Sequence, residues 1–332
     1  MFRKLRGVAL CQIAVGLLTI EGAASMAAEG EAFTDGAKAG PDFAVQGEYS
    51  GTIKHDGEDT PVGVQVIALG GGKFDAIMHF GGLPGDGWKR GDKTDKASGE
   101  MKDGVATFKN EQGSAKIADG VLTGYDKEGK DYSKLKKIER KSPTIGAKAP
   151  EGAVVLFDGS GVDHWPGAKL TEEKLLLAGA MTKSEFKDFT LHLEFRTPFM
   201  PTSRGQGRGN SGLYLQNRYE LQVLDSFGLS GENNECGGFY TLKEPSVNMC
   251  LPPLSWQTYD IEFTGARFDG ETKTKNAKVT VKHNGVTIHD NYELPKLCPG
   301  GASTEYPGKG PFALQHHGNP VTYRNIWLVE KK

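Results

Sequence analysis

Amphipathic segments long enough for helices are nearly missing from this 332-residue chain; a turn around Thr171 to Leu176 is the most the pattern allows. That excludes helix bundles and folds built from alternating strands and helices. An excess of either charge is missing too, since 40 basic residues meet 42 acidic ones for a formal net charge of -2. With the charges spread along the chain, nothing argues for nucleic acid or an anionic membrane surface as partner. Cysteine is scarce at four residues, and no CxxC or His/Cys spacing suggests zinc. After the apolar stretch from Val8 to Ile20, which at 13 residues is too short for a stable bilayer span, no segment qualifies as transmembrane.

Glycine is plentiful, with 46 residues beside 16 prolines, as expected for many short strands joined by tight turns. The length is enough for two domains. Arg3, Lys4 and Arg6, the apolar stretch, and the small residues Gly22 to Ala28 read as a signal peptide over residues 1–28, cut after Ala27 or Ala28. This predicts export to a periplasm or the extracellular space. Cys11 follows Val8-Ala9-Leu10 without the small residue of a lipid-attachment site, so no lipid anchor is expected. Export leaves Cys236, Cys250 and Cys298. The short loop between Cys236 and Cys250 predicts a disulfide in an oxidising compartment, the alternative being three buried thiols; no partner is evident for Cys298.

Residues 29–46 are small and polar and read as a disordered lead-in. From 47 to 140, short alternating runs are punctuated by Asp56-Gly57, Asp103-Gly104 and Asp119-Gly120, which predicts a small antiparallel barrel or meander of unassigned role. Residues 141–152 read as a linker. From 153 to 332 the strand candidates include Phe189 to Arg196, Thr258 to Phe263, and a hairpin across Asn284-Gly285. A two-sheet jelly-roll sandwich with one sheet curved into a groove fits, making the chain all-β.

Asn210 to Asp225 is the most informative stretch. It reads as two strands with little between them. Tyr219, Leu221 and Val223 share one face while Glu220 and Gln222 share the other; Leu213 and Leu215 oppose Tyr214 and Gln216. A face of carboxylate, amides and a flat aromatic suits a hydroxyl-rich ligand, although an ordinary solvated sheet face has the same pattern.

The larger domain resembles the secreted bacterial 3-keto-disaccharide hydrolases, a family with a concanavalin-like sandwich formerly known as a domain of unknown function. The matching segments are Val155-Leu156-Phe157-Asp158-Gly159 with Trp165, Asp188 to Arg196, Asn210 to Tyr214, Tyr219 to Asp225, and Trp256 to Asp260. His283-Asn284-Gly285, Leu314 to Gly318 and Arg324 to Trp327 complete the set, over roughly residues 150 to 332. The resemblance implies cleavage of sugars already oxidised at C3. A C3 ketone acidifies the C2 proton, so a base can remove it, the C1 substituent leaves by elimination, and water adds back. Such a site needs a base, a group for the enolate oxygen and a proton donor.

Glu220 and His317 are the acid/base candidates, and alternation aligns His317 with Gln315 as it aligns Glu220 with Gln222. His317 could instead cap the loop beside Gly318-Asn319-Pro320. Arg324 could hold the enolate oxygen or form a cross-strand ion pair. Asn210, Tyr214, Gln216, Gln222 and Gln315 are the candidates for substrate binding. A divalent metal is a candidate cofactor, with Asp225 as ligand beside Glu220 and His317, though alternation sets Asp225 on the opposite face from Glu220. Two other readings stay open: a conventional glycosidase drawing paired carboxylates from Glu194, Glu220 and Glu262, and a carbohydrate-binding module without catalysis. The partner in each is a carbohydrate, and the oligomeric state is open.

Overall fold

The computed structural model describes residues 30–55 and 57–331, and of His55 only the backbone. The signal-peptide reading of residues 1–28 lies outside the described residues. Eight antiparallel strands over residues 47–138 form a closed barrel, because Gly47–His55 pairs with both Glu58–Gly70 and Asp131–Ile138. The order is a meander, and left-handed turn residues produce it. Asp103 and Gly104 have φ of 51° and 78°, and Asp119 and Gly120 have 50° and 73°. Those conformations match the twist of two-residue hairpins. Val62, Val64 and Val66 alternate into the lumen with Tyr49, Ile53 and Phe74.

Residues 30–46 depart from the disordered lead-in. Phe33 exchanges both backbone hydrogen bonds with Phe199, and Gly40–Val45 is a short helix with proline in its first turn. Phe33 and Phe43 pack on the buried Phe199 ring, and Tyr49 donates to Val45 O at 2.7 Å. Two aromatic anchors thus order a segment whose average composition is small and polar.

The remaining strands form a sandwich. One sheet has Val154–Phe157, Thr322–Glu330, Asp188–Arg196, Gln257–Thr264, Ala277–His283 and Val286–Leu294 side by side, with Leu176–Leu177 also paired to Thr322–Glu330. The other has Ala180–Met181, Ala313–Leu314, Ser211–Leu215 and Tyr219–Val223. Phe189, Leu191, Leu193 and Phe195 from the large sheet meet Leu213, Leu215, Leu221 and Val223 from the small one in a single core. The Asn284-Gly285 hairpin forms, with φ of 50° and 81°. Each sheet therefore has one face in the core and one face turned away from it.

Several contacts bind barrel to sandwich. Ile67, on the outer wall of the barrel, belongs to the sandwich core. Arg90, in the loop after Phe80, donates to Gly231 O at 2.7 Å and Pro245 O at 2.9 Å. The segment 142–147 is strapped across the outer face of the large sheet. Ser142 Oγ lies 2.6 Å from Thr258 Oγ1, Thr144 donates to Asp260 Oδ2 at 2.6 Å, and Gly146 N donates to Glu194 Oε1 at 2.6 Å.

Candidate functional site

The outward face of the small sheet is a polar surface closed over by loops. Strand register sets Tyr214 directly across from Glu220, and Gly212 across from Gln222. Gln315 joins the same row, since its N–H donates to Gly212 O at 2.8 Å. Tyr214, Glu220 and Gln222 are all buried. The loop around Pro299 lies over one end and the backbone of Asn234 over the other.

Glu220 is the chemical centre of this face. Burial pushes its carboxyl up to about 7, against the opposing hydrogen bond from Tyr214. The Tyr214 phenol faces two acceptors, Glu220 Oε2 at 2.9 Å and Pro299 O at 2.6 Å, and has one proton to give. With Glu220 protonated every partner is satisfied: the carboxylic acid donates to the phenol oxygen and the phenol donates to Pro299 O. The geometry thus supports the neutral acid, in the same direction as burial. Gln315 Nε2 also reaches the phenol oxygen, at 3.4 Å. Gly212 makes the room, because a Cβ there would come within 2.1 Å of Glu220 Oε1. Burial holds Cys298 up to about 12, so the thiol beside the Glu220 backbone stays protonated and inert.

A cluster of three amides continues the surface. Gln206 Oε1 accepts from Gln222 Nε2 at 2.9 Å and from Asn210 Nδ2 at 3.2 Å. The other amide oxygens, Gln222 Oε1 and Asn210 Oδ1, are buried and have no hydrogen-bond partner. Two buried amide oxygens without partners, on the face that carries Glu220, are free to accept hydrogen bonds from hydroxyl donors. Gln206 was not singled out from sequence: it sits in the turn Gly205–Gly207, where no alternation marks it.

His317 lies beyond the end of Ala313–Leu314 and is exposed. Two residues further on, Asn319 Oδ1 accepts from Asn210 N at 2.7 Å, which brings this loop to the amide end of the surface.

Four expectations require correction. Gln216 does not line the surface. It and Asn217 have left-handed φ of 54° and 52° in the hairpin turn, so strand alternation ends before it. Its amide donates instead to Phe186 O at 2.7 Å. Arg324 is on the large sheet, on the face turned away from the core, and so is separated from Glu220 by the sandwich interior. There it donates to Glu194 Oε2 at 2.7 Å and lies 3.9 Å from the centre of the Trp256 ring. Asp225 is a buried ion-pair partner of Arg208 at 2.6 Å rather than a companion of Glu220 and His317. Among the described residues no group of three or more His, Cys, Asp or Glu side chains is arranged to hold a metal. Cys236 and Cys250 are free thiols in hydrogen-bond contact with each other rather than a disulfide; Cys236 Sγ also lies 3.3 Å from the Tyr259 hydroxyl and Cys250 Sγ donates to Leu224 O at 3.4 Å.

Glu194 and Glu262 also lie on the large sheet's outer face, since the intervening Leu193, Phe195, Ile261 and Phe263 fill the core. They therefore do not oppose Glu220. Glu194 is bonded by His192, Asn325, Gly146 and Arg324, which outweigh its burial and hold it down to about 2.

Comparison with known proteins agrees with this architecture. Residues 152–329 match the family described as the 3-keto-alpha-glucoside-1,2-lyase-like domain. A solved structure from Parabacteroides distasonis ATCC 8503, described as a candidate glycosyl hydrolase, is 29% identical, covering 65% of this chain and 92% of that one with a TM-score of 0.51. A second from the same organism, described likewise, is 17% identical over 55% of this chain and 95% of that one, with a TM-score of 0.39. No curated protein matches. The sandwich, its small-sheet surface and the match across residues 152–329 together make this chain a member of the 3-keto-alpha-glucoside-1,2-lyase-like family.

Proposed function

We propose that the protein is an exported enzyme that cleaves 3-keto-glycosides or 3-keto-disaccharides by elimination and hydration. The observation that carries this reading is Glu220, a buried carboxyl held near pH 7 beside two unpartnered amide oxygens. A group with that pKa can take a proton and return it at neutral pH. Family membership supports the 3-keto substrate, and the description of the Parabacteroides structure supports glycosidic bond cleavage.

In the proposed reaction Glu220, as carboxylate, removes the C2 proton of the 3-keto sugar. The C1–O bond breaks and a C1=C2 double bond forms. The leaving oxygen takes a proton from the exposed His317, whose loop is tied to the amide end of the surface through Asn319 and Asn210. Glu220 exchanges that proton with solvent while the unsaturated sugar is held. Water then adds its oxygen to C1 and gives one proton back to the group that protonated the leaving oxygen, and Glu220 protonates C2. Gln222 Oε1 and Asn210 Oδ1 accept from sugar hydroxyls, which orients the ring. The Gln315 amide supplies a neutral hydrogen bond that accommodates an enolate oxygen without a fixed cation.

Cleavage in heavy water tests the route. Elimination places deuterium at C2 of the released 3-keto sugar, beyond any non-enzymatic exchange. Direct displacement at C1 leaves C2 untouched, and that result would overturn the proposal. Matched disaccharides with and without the C3 ketone test the substrate class, since only the oxidised one has an acidic C2 proton.

A further inference from the structure

The barrel is full at one end and hollow at the other. Tyr49 and Phe74 fill the end capped by the helix Gly40–Val45, and Phe108 forms part of the wall of the hollow; each is fully buried. Toward the opposite mouth the lumen positions become small in cross-strand pairs. Ala76 is paired with Ala97, and Ala115 with Gly124. The space they leave is a cavity of about 290 Å³ whose wall includes Ile53, Val64, Met78 and Leu135. Apolar cavities of ~150 Å³ already accept benzene, so this one has room for a larger apolar body. Eight-stranded barrels have the width for one small ligand. The mouth is polar and mostly basic among the described residues: Lys54, Lys93, Lys96 and Lys109 contribute to the lining against Asp95 and Asp126. Lys54 is paired with Asp59 at 2.8 Å, while the Lys93 ammonium lies 4.3 Å from the centre of the Phe80 ring, at the edge of the hollow.

We propose that the barrel lumen binds a small amphipathic anion, its apolar body in the hollow and its acid group among the mouth lysines. This site belongs to the region outside the family match and is independent of the sandwich chemistry. Burying an alkyl or aryl body against the aliphatic wall supplies the affinity, and the lysines select the acid over a neutral analogue.

Calorimetric titration of the full chain with decanoate and with decanol tests the proposal. Decanoate binds one per chain, and decanol binds about tenfold more weakly. Lys93→Gln combined with Lys96→Gln weakens decanoate about tenfold and leaves decanol unchanged. Ala97→Phe combined with Ala115→Phe fills the hollow and weakens both at least tenfold. Should that variant lose its native circular dichroism, Tyr132→Trp at the mouth reports instead, its emission changing with the same saturation as the heat. No saturable decanoate binding overturns the proposal, as does undiminished binding to a folded filled variant. Saturable heat without any Tyr132→Trp response places the ligand elsewhere and likewise overturns it. Equal affinity for decanol and decanoate overturns the assignment of an anion.

Discussion

Tyr214 and Glu220 are direct cross-strand partners, and the phenol that lies 2.9 Å from the carboxyl is also 2.6 Å from Pro299 O. One phenolic proton thus serves two acceptors, and the carboxyl gains a reason to stay protonated beyond burial alone. The pair ties the sheet, the overlying loop and the proposed proton-transfer group into one unit.

Glu220→Gln should lower turnover by roughly a hundredfold or more, as expected for loss of a positioned proton-transfer group. In the unaltered enzyme the rate should rise with pH through about 7, as Glu220 becomes the base. Steady-state rates from pH 5 to 9 measure both. A folded Glu220→Gln enzyme with a near-normal rate would remove Glu220 from the reaction. His317→Ala should cost a comparable factor if His317 protonates the leaving oxygen, and a small one if it only borders the site.

Stability should respond to pH with opposite signs at different residues. Glu220 has a folded pKa of about 7, above its unfolded value, so the native state holds an extra proton between roughly pH 4.5 and 7. Its contribution is full below that window and is lost as pH rises through it. Glu220→Gln should therefore gain on the unaltered protein by roughly 3 kcal/mol between pH 4 and 8, from a shift of ~2.5 units. Urea midpoints at several pH values measure this, and a difference that stays flat with pH contradicts it.

The buried histidines act the other way. Burial lowers His79 to about 4, His283 to about 3 and His289 to about 4, so each is neutral in the fold and charged in the unfolded chain below pH 6.5. Their contribution is lost as pH falls from about 6.5 toward these values. Burial also opposes a charged His192, but bonds from Asp260 and Glu194 prevail and raise its pKa, so its contribution is present at low pH and lost as pH rises. The three together outweigh Glu220, and His192 adds little slope below its ordinary range, so net stability should fall between pH 6 and 4. Thermal unfolding across that range checks the sign.

Arg208→Ala should destabilise by about 3–5 kcal/mol, because it strands the buried Asp225 charge. Arg208 also donates to Ala68 O at 3.1 Å and reaches Gln46 Oε1 at 3.4 Å, both from the barrel region, so the loss should loosen the contact between barrel and sandwich. Unfolding midpoints and limited proteolysis measure the two effects. A change under ~1 kcal/mol would mean that the pair contributes little beyond its own desolvation.

Arg324→Ala and Gln222→Ala should separate the two faces of the sandwich. Arg324→Ala leaves the buried Glu194 carboxylate with its bonds from Gly146, Asn325 and His192, so the substitution should cost about 1–3 kcal/mol and leave kcat within about twofold. Gln222→Ala removes an amide from the polar face of the small sheet and should raise KM several-fold with little change in unfolding midpoint. The reverse pattern would relocate the site to the large sheet.

Period-two alternation within Ser211–Leu215 and Tyr219–Val223 was enough to group Tyr214, Glu220 and Gln222, because successive side chains of a strand must point to opposite faces. Asp-Gly and Asn-Gly pairs marked hairpins for the same local reason: their backbones accept positive φ. Such information is carried by a few consecutive residues and needs no tertiary context. Alternation says that Arg324 and Glu220 each leave the core, but not that they do so from different sheets. Strand order decides that, through contacts between residues more than a hundred positions apart. Alternation fails at Gln216, where the strand becomes a turn, and cannot mark Gln206, because a loop has no period. The Arg208–Asp225 pair, the ordered 30–46 segment, the partners of the two thiols and the orphaned amide oxygens likewise depend on which distant groups meet. What the sequence determined by itself is the local β pattern and the chemistry of each face; which faces share a site, and which carboxyl is buried enough to hold its proton near pH 7, only the tertiary packing decided, because desolvation is a property of the surroundings.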